Sequence, residues 1–380
     1  MGETGSGQAA IRRLVIKIGS STLTDDDGKI SASYIEQLAC QVGELRARGI
    51  QVLIVSSAAI VVGLEALDLP PKRPDSIPTL QAAAAVGQIA LARVYAKAFE
   101  EQGLGVGQVL LTRFDTTNRD SYLHARDTLE RLLELGIVPL INENDTVAVD
   151  EIRFGDNDTL AAQVAIMVKA SLVVLLSDIE GLYTADPRID EDARLLEKIG
   201  AFTEEIVNAA GDVGSTRGSG GMVTKLEAAR MLMAAGIPMV ICEGRLETAV
   251  LDAVCGKSIG TRFSSERQHR QAGARKLWIA LSGTVKGTVI VDDGAQQALS
   301  ERGSSLLPVG VRRAEGSFEA GNVINIRNEQ GFLIGRGLSA YSSDELSLAA
   351  GHKSDVIAHN KLLSHLTNKE VIHRDEMVIF

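Results

Sequence analysis

Two lysines and one aspartate have the types and settings needed to move a phosphoryl group. Lys17 lies inside the apolar run Leu14-Val15-Ile16-Lys17-Ile18 and is followed by Gly19-Ser20-Ser21. An ammonium group in a buried strand needs an anion beside it or a shifted pKa. The small residues after it can bring backbone amides close to an anionic ligand. A lysine snorkelling at a sheet edge is the alternative. Lys225 closes the segment Gly218-Ser219-Gly220-Gly221-Met222-Val223-Thr224-Lys225, where glycines lead into a helical pattern. Such a segment can cradle phosphate oxygens, although a surface loop has the same composition. The spacing GxxxxGK[ST] is absent, so this is not a P-loop.

The aspartate comes from two polar clusters separated by a short loop. The apolar run Ile137-Val138-Pro139-Leu140-Ile141 ends in Asn142-Glu143-Asn144-Asp145, and Gly155-Asp156-Asn157-Asp158 follows. Carboxylates and carboxamides in this number are costly to bury without partners, so they belong at a strand end that meets water, a cation or a polar ligand. The helical stretch LAAQVAIMV after the second cluster predicts that Asp156 to Asp158 open a helix. Asx turns and a helix cap would be the purely structural explanation. Taken together, Lys17 and Lys225 could flank a transferring phosphoryl group, with Asp158 holding both. That chemistry is mainly positioning and electrostatics, and needs no His or Cys nucleophile.

The elements that must position these groups alternate along the first two-thirds of the chain. Strand-like runs at 14–18, 52–56, 106–111, 137–141, 172–176 and 238–242 are separated by helical segments such as 32–48, 79–101, 119–135 and 221–235. Runs apolar on both faces and joined by helices predict a mainly parallel sheet in a three-layer α/β/α sandwich. Ligands of such sheets bind beyond the carboxyl ends of the strands. Gly19 to Ser21, Ser56-Ser57, Asn142 to Asp145 and Ser177-Asp178 all fall at such ends.

Residues 1–10 read as a disordered leader, 11–260 as the α/β domain and 261–275 as a polar, basic linker. Residues 276–355 carry short β-rich runs with frequent glycine, which predict a small barrel-like domain. Residues 356–380 form a tail that the pattern does not place. Basic and acidic residues balance from 275 onward, so the earlier part carries the whole net charge of −10. That charge argues against general nucleic-acid binding. Hydrophobic content of 45% and charged content of 23% fit an ordinary globular chain. Cys40, Cys242 and Cys255 lie in apolar stretches without CxxC spacing and read as buried thiols in a reducing compartment. The apolar stretch 160–176 is interrupted by Gln163, Lys169 and Ser171, so no membrane span is expected.

The motifs VIKIGSS, VLIVSSAAI, LINENDTVA, FGDNDTL, LLSDIEGLYTADP and GSGGMVTK, in this order, resemble the glutamate 5-kinases of the amino acid kinase family. The C-terminal runs VDDGAQQAL, GSSLLPVGV, GNVINI and GRGLSAYSSDEL are similar to the PUA domain appended to many of them. The resemblance implies phosphorylation of the γ-carboxylate of L-glutamate by ATP in the cytoplasm, the first step towards proline, with proline as a feedback inhibitor. It implies that Lys17 and Lys225 contact the phosphates and that Asp158 orients both. Ser57, Asp145 and Asn157 correspond to glutamate-binding positions. Ser177, Asp178 and the segment Ser219, Gly220, Gly221, Met222, Val223, Thr224 and Lys225 correspond to nucleotide contacts. Mg2+ would bridge the ATP phosphates, with no protein ligand identified, and a homodimer or homotetramer is implied. RNA binding by the PUA-like domain is not established in that family. Related folds also phosphorylate acetylglutamate, aspartate, carbamate or nucleotide monophosphates; the pairing of NEND with GDND favours glutamate. One departure concerns Ala58, where the family usually has glycine. If this position needs a positive φ, alanine costs about 1–2 kcal/mol, and weaker glutamate binding or an altered loop is expected.

Overall fold

The computed structural model describes residues 11–25, 29–70, 74, 76–147, 157–187, 189–203, 206, 220–264, 279, 285–360, 363–366 and 369–380. The expected leader, residues 265–275 of the expected linker, Gly155-Asp156 and Ser219 lie outside them. The chain divides into two compact units, passing to the second at residue 267, with 234–236 also assigned to the second.

Among the described residues the first unit is built on eight strands: β1 Arg13–Ile18, β2 Gln51–Val55, β3 Val106–Leu111, β4 Val138–Glu143, β5 Leu172–Ser177, β6 Lys198–Ile199, β7 Met239–Glu243 and β8 Thr261–Phe263. Their order is β3-β4-β2-β1-β5-β7-β8-β6. All neighbours run parallel except β7 and β8. The short β6 and β8 are too brief to register as apolar runs in the sequence. The helices are α1 Ser20–Leu23, α2 Ala32–Ala47, α3 Ala59–Ala66, α4 Ile77–Glu100, α5 Arg113–Thr117, α6 Arg119–Glu134, α7 Asp158–Met167, α8 Gly220–Ala234 and α9 Ala249–Val254.

Strand alternation decides which side chains face which layer. Leu14, Ile16 and Ile18 join a core with residues of α2, α4 and α9. Val15 and Lys17 therefore take the opposite face. Lys17 pairs with Val55 on β2 and Leu175 on β5, so it sits in the middle of the sheet and not at an edge. Strands β2 and β4 lie on one side of β1 and β5 and β7 on the other, and the chain crosses from the first side to the second between β4 and β5. This is the switch point at which open parallel sheets bind ligands.

Two glycines let α3 and α4 touch backbone to backbone. A Cβ on Gly63 would lie 1.7 Å from the Ala83 carbonyl oxygen, and one on Gly87 would lie 1.9 Å from that of Ala59. By length and composition α4 could cross a bilayer. Its close approach to α3 and its buried Tyr95 and Phe99 make it a packed helix of the first unit.

The expectation of three buried thiols holds for Cys242 alone; Cys40 and Cys255 are exposed. On α2 the buried positions are Ile35, Leu38, Ala39, Val42 and Leu45, a helical stripe that leaves Cys40 facing outward. Cys255 follows the last turn of α9.

Among its described residues the second unit holds a separate five-stranded sheet: β9 Gly287–Val291, β10 Val311–Gly316, β11 Val323–Asn328, β12 Leu333–Leu338 and β13 Met377–Ile379, in the order β10-β9-β11-β12-β13. Only β9 and β11 are parallel. Helices α10 Asp293–Arg302, α11 Ser343–Ala349 and α12 Ser354–His359 accompany it. Val289, Ile326, Ile334, Tyr341, Leu346 and Met377 share its core. The terminal run that the sequence pattern leaves unplaced supplies β13.

Candidate active site

The carboxyl ends of β1, β2, β4 and β5 deliver the polar groups. Lys17 comes from β1, Ser56 and Ser57 follow β2, Asn142 ends β4, and Ser177 ends β5. Helix α7 enters the same region with Asn157 at its N-cap and Asp158 as its first residue. The apolar helix behind Asp158 is buried along its length, which anchors the carboxylate rigidly.

Asp158 is the junction. Its side chain is fully buried, and Lys17 and Lys225 are 3% and 8% exposed. Lys17 Nζ lies 2.5 Å from Asp158 Oδ1. Lys225 Nζ donates to Asp158 Oδ2 at 3.0 Å and reaches the Gly221 carbonyl oxygen at 3.3 Å. Thr224 Oγ1 lies 3.1 Å from Asp158 Oδ2 and 2.9 Å from the Gly221 carbonyl oxygen. One carboxylate thus gathers two ammonium groups from β1 and α8. Two lysines against one aspartate give the trio a formal charge of +1, which suits it to an anion.

A second cluster adjoins it through Asn157. Its Nδ2 donates to the Ser56 carbonyl oxygen at 2.6 Å and to Asn142 Oδ1 at 2.7 Å, with Ser57 Oγ at 3.4 Å. Asn142 Nδ2 in turn donates to Gln88 Oε1 of α4 at 2.7 Å. Ser56 Oγ reaches the Tyr95 hydroxyl at 3.3 Å. Burial pushes the Tyr95 phenol well above its ordinary pKa, so it stays neutral there.

The structure therefore brings Lys17, Lys225, Asp158 and Thr224 into one group, and Ser57 and Asn157 into a second joined to it in sequence. Ser177 and Asp178 lie at the end of β5 beside β1, with Ser177 Oγ donating to Asp178 Oδ1 at 3.1 Å. Gly220 to Val223 form the first turn of α8, below Thr224 and Lys225. Asp145 lies half-buried in the turn after β4. Gly19, read as a close-approach residue, has an ordinary φ of −73 and spends its N–H on the Leu176 carbonyl oxygen.

Ala58 has a φ of 74 and precedes α3. The position does require left-handed backbone, and the alanine there is strained. Gln88 and Tyr95 escaped the sequence reading. Gln88 is a single polar residue in an alanine-rich helical stretch, a pattern that an exposed position would share.

Comparison with known proteins identifies the family of the chain. The profile of the amino acid kinase family matches residues 12–243, and that of the PUA domain matches residues 287–360. Glutamate 5-kinase from Citrifermentans bemidjiense is 44% identical over 371 residues, covering 97% of this chain and 98% of its own. Glutamate 5-kinase from Geobacter sulfurreducens is 45% identical over 369 residues, with the same coverage of 97% and 98%. The protein of that name from Caldanaerobacter subterraneus subsp. tengcongensis is 42% identical over 367 residues, covering 97% of each chain.

Proposed function

Because this chain belongs to the glutamate 5-kinase family of amino acid kinases, we propose that it transfers the γ-phosphoryl group of ATP to the γ-carboxylate of L-glutamate. The observation that carries this reading is the bridging of Lys17 and Lys225 by the buried Asp158.

In the proposed reaction a γ-carboxylate oxygen bonds to the γ-phosphorus as the bond to the β–γ bridging oxygen breaks, giving glutamyl 5-phosphate and ADP. The acceptor is ionised at neutral pH, so no general base is required. Lys17 and Lys225 neutralise charge that spreads over the phosphoryl oxygens, and Asp158 keeps them in register. Ser57, Asp145 and Asn157 bind glutamate, with Asp145 suited to its α-ammonium group. Ser177, Asp178 and the segment 219–225 hold the nucleotide. Mg2+ adds charge neutralisation when bound with ATP. Among the described residues no group of three or more His, Cys, Asp or Glu side chains offers it a cage, and Asp158 is occupied by the lysines. The phosphates and water would therefore supply most of its ligands.

The product feeds proline synthesis in the cytoplasm, and proline inhibits at the glutamate site, because both share an α-carboxylate and a charged amine. Purely noncompetitive inhibition by proline would refute that overlap. A homo-oligomer is expected from the family. A second reading, RNA binding by residues 287–360, has the PUA match behind it and a net charge of −3 over those residues, six Lys+Arg against nine Asp+Glu, against it. A gel shift at low salt tests it.

The decisive experiment is ADP release with glutamate, acetylglutamate, aspartate, carbamate and UMP as acceptors, on wild type and Lys225→Ala. Glutamate-dependent turnover lost in the variant is expected. Turnover with another acceptor alone would overturn the assignment.

A further inference from the structure

The hydrogen bonds behind Asn157 form a chain whose polarity is set by backbone groups that can only donate or only accept. The Glu143 N–H donates to Asn142 Oδ1 at 2.9 Å. Turned over, Asn142 would set its NH2 against that N–H, so Oδ1 must face it and Nδ2 must find an acceptor elsewhere. Gln88 Oε1 is that acceptor, at 2.7 Å. At the other end the Ser56 carbonyl oxygen can only accept, and Asn157 Nδ2 lies 2.6 Å from it. Turned over, Asn157 would bring two oxygens together at that separation. Asn142 Oδ1 requires the same orientation of Asn157. With Nδ2 held by Ser56 and Asn142, Oδ1 is the carboxamide atom left to meet a ligand.

The chain also closes on itself. Gln88 follows Gly87, the glycine at which α4 meets the Ala59 carbonyl oxygen. Ala59 begins α3 two residues after Ser57. The contacts thus run from the end of β2 through α3, α4, β4 and the α7 N-cap and back to Ser56. Gln88 is 9% exposed and Asn142 2% exposed, so water competes little for these bonds.

We infer that Gln88 is a positioning residue for the amino-acid substrate: by accepting from Asn142 Nδ2 it fixes the place of Asn142 beside Asn157, whose orientation the Ser56 carbonyl sets, so that Asn157 keeps its carboxamide oxygen outward and selects a hydrogen-bond donor, the substrate's α-ammonium group. This rests on the glutamate kinase reading above. It assigns a role to a buried residue that sits on a helix outside the strand ends. An outward oxygen rewards the ammonium of an amino acid and gives nothing to a dicarboxylate that lacks one.

The test uses the full chain with Gln88→Leu, which removes the acceptor, and Gln88→Glu, which keeps it whether ionised or protonated. KM for glutamate and ATP is measured, together with Ki for glutarate, the competitor without the ammonium group. Gln88→Leu should raise KM for glutamate roughly tenfold, the scale of one hydrogen bond to a charged group. KM for ATP and Ki for glutarate should stay within twofold of wild type, and Gln88→Glu should restore KM for glutamate. A general packing defect would weaken glutarate and glutamate alike, and that result would overturn the inference. So would a KM for glutamate unchanged in Gln88→Leu. If Gln88→Leu does not fold, Gln88→Glu still decides, since a folded variant with a tenfold higher KM contradicts the acceptor role. Wild-type protein without glutamate-dependent turnover would remove the kinase reading itself, and this inference with it; wild-type turnover with unaffected variants removes this inference alone.

Discussion

Lys17 Nζ lies 2.5 Å from Asp158 Oδ1, a contact that ties the central strand β1 to the first residue of α7. The carboxylate has no solvent exposure, so water cannot substitute for either partner. Asp158→Asn keeps the shape and removes the charge, leaving two ammonium groups buried against a neutral amide. Removing one partner of a buried pair costs about 3–5 kcal/mol. Urea titration of Asp158→Asn should show a loss of that size, and kcat should fall by at least roughly a hundredfold. An unchanged kcat would mean that the lysines keep their places without Asp158.

Ala58 supplies a second prediction, because its φ of 74 is one that an L-residue adopts at a cost. Ala58→Gly removes the clash between Cβ and the following carbonyl and adds some unfolded-state entropy. The net expectation is a gain of about 1 kcal/mol in unfolding free energy. The preceding residue, Ser57, lies beside Asn157, so relief of strain should also lower KM for glutamate. Equal stability of the two proteins would show that the surrounding helices already absorb the strain.

The sheet was readable because its strands are apolar on both faces, as Leu172–Ser177 is along its whole length. The candidate groups were readable because polar residues interrupt apolar runs at strand ends. That Asp158 would hold Lys17 and Lys225 was expected from residue type and family resemblance; spacing alone could not give it, since several strands and helices intervene between the two lysines. Gln88 was hidden by the composition of α4, where a buried and an exposed glutamine look alike. The exposure of Cys40 depends on helical phase, which its apolar neighbours Ala39 and Leu38 conceal. Strand β13 was unreadable because its partner β12 precedes two helices and several turns.

The thiols give a prediction that needs no substrate. Burial pushes the Cys242 thiol up to about 12, and its side chain is inaccessible. Cys40 and Cys255 are exposed. Thiolate is the reactive form, so alkylation of native protein at pH 8 should label Cys40 and Cys255 and spare Cys242. Mass spectrometry after unfolding in denaturant should then find Cys242 labelled as well. Labelling of Cys242 in the native protein would show that the core of α2, α4 and β7 opens on the time scale of the reaction.

Glu345 gives a prediction with a defined sign in pH. It closes a capping box at the start of α11, accepting from the Ser342 N–H at 2.8 Å, while Ser342 Oγ accepts from the Glu345 N–H at 3.3 Å. His365 Nε2 lies 2.8 Å from its other oxygen. Burial acts to raise the Glu345 pKa, but the bonds from Ser342 and His365 together lower it below the ordinary value. A carboxylate held lower in the folded state stabilises at pH above its unfolded value of about 4.3. That contribution disappears as pH falls through the lower, folded value. Glu345→Gln should therefore weaken amide-exchange protection across Ser343–Ala349 by about 1 kcal/mol at pH 7. After correction for intrinsic exchange, the difference between variant and wild type should narrow only below about pH 4.3. A difference that is constant across that range would assign the cap to geometry alone, with no share from the carboxylate charge.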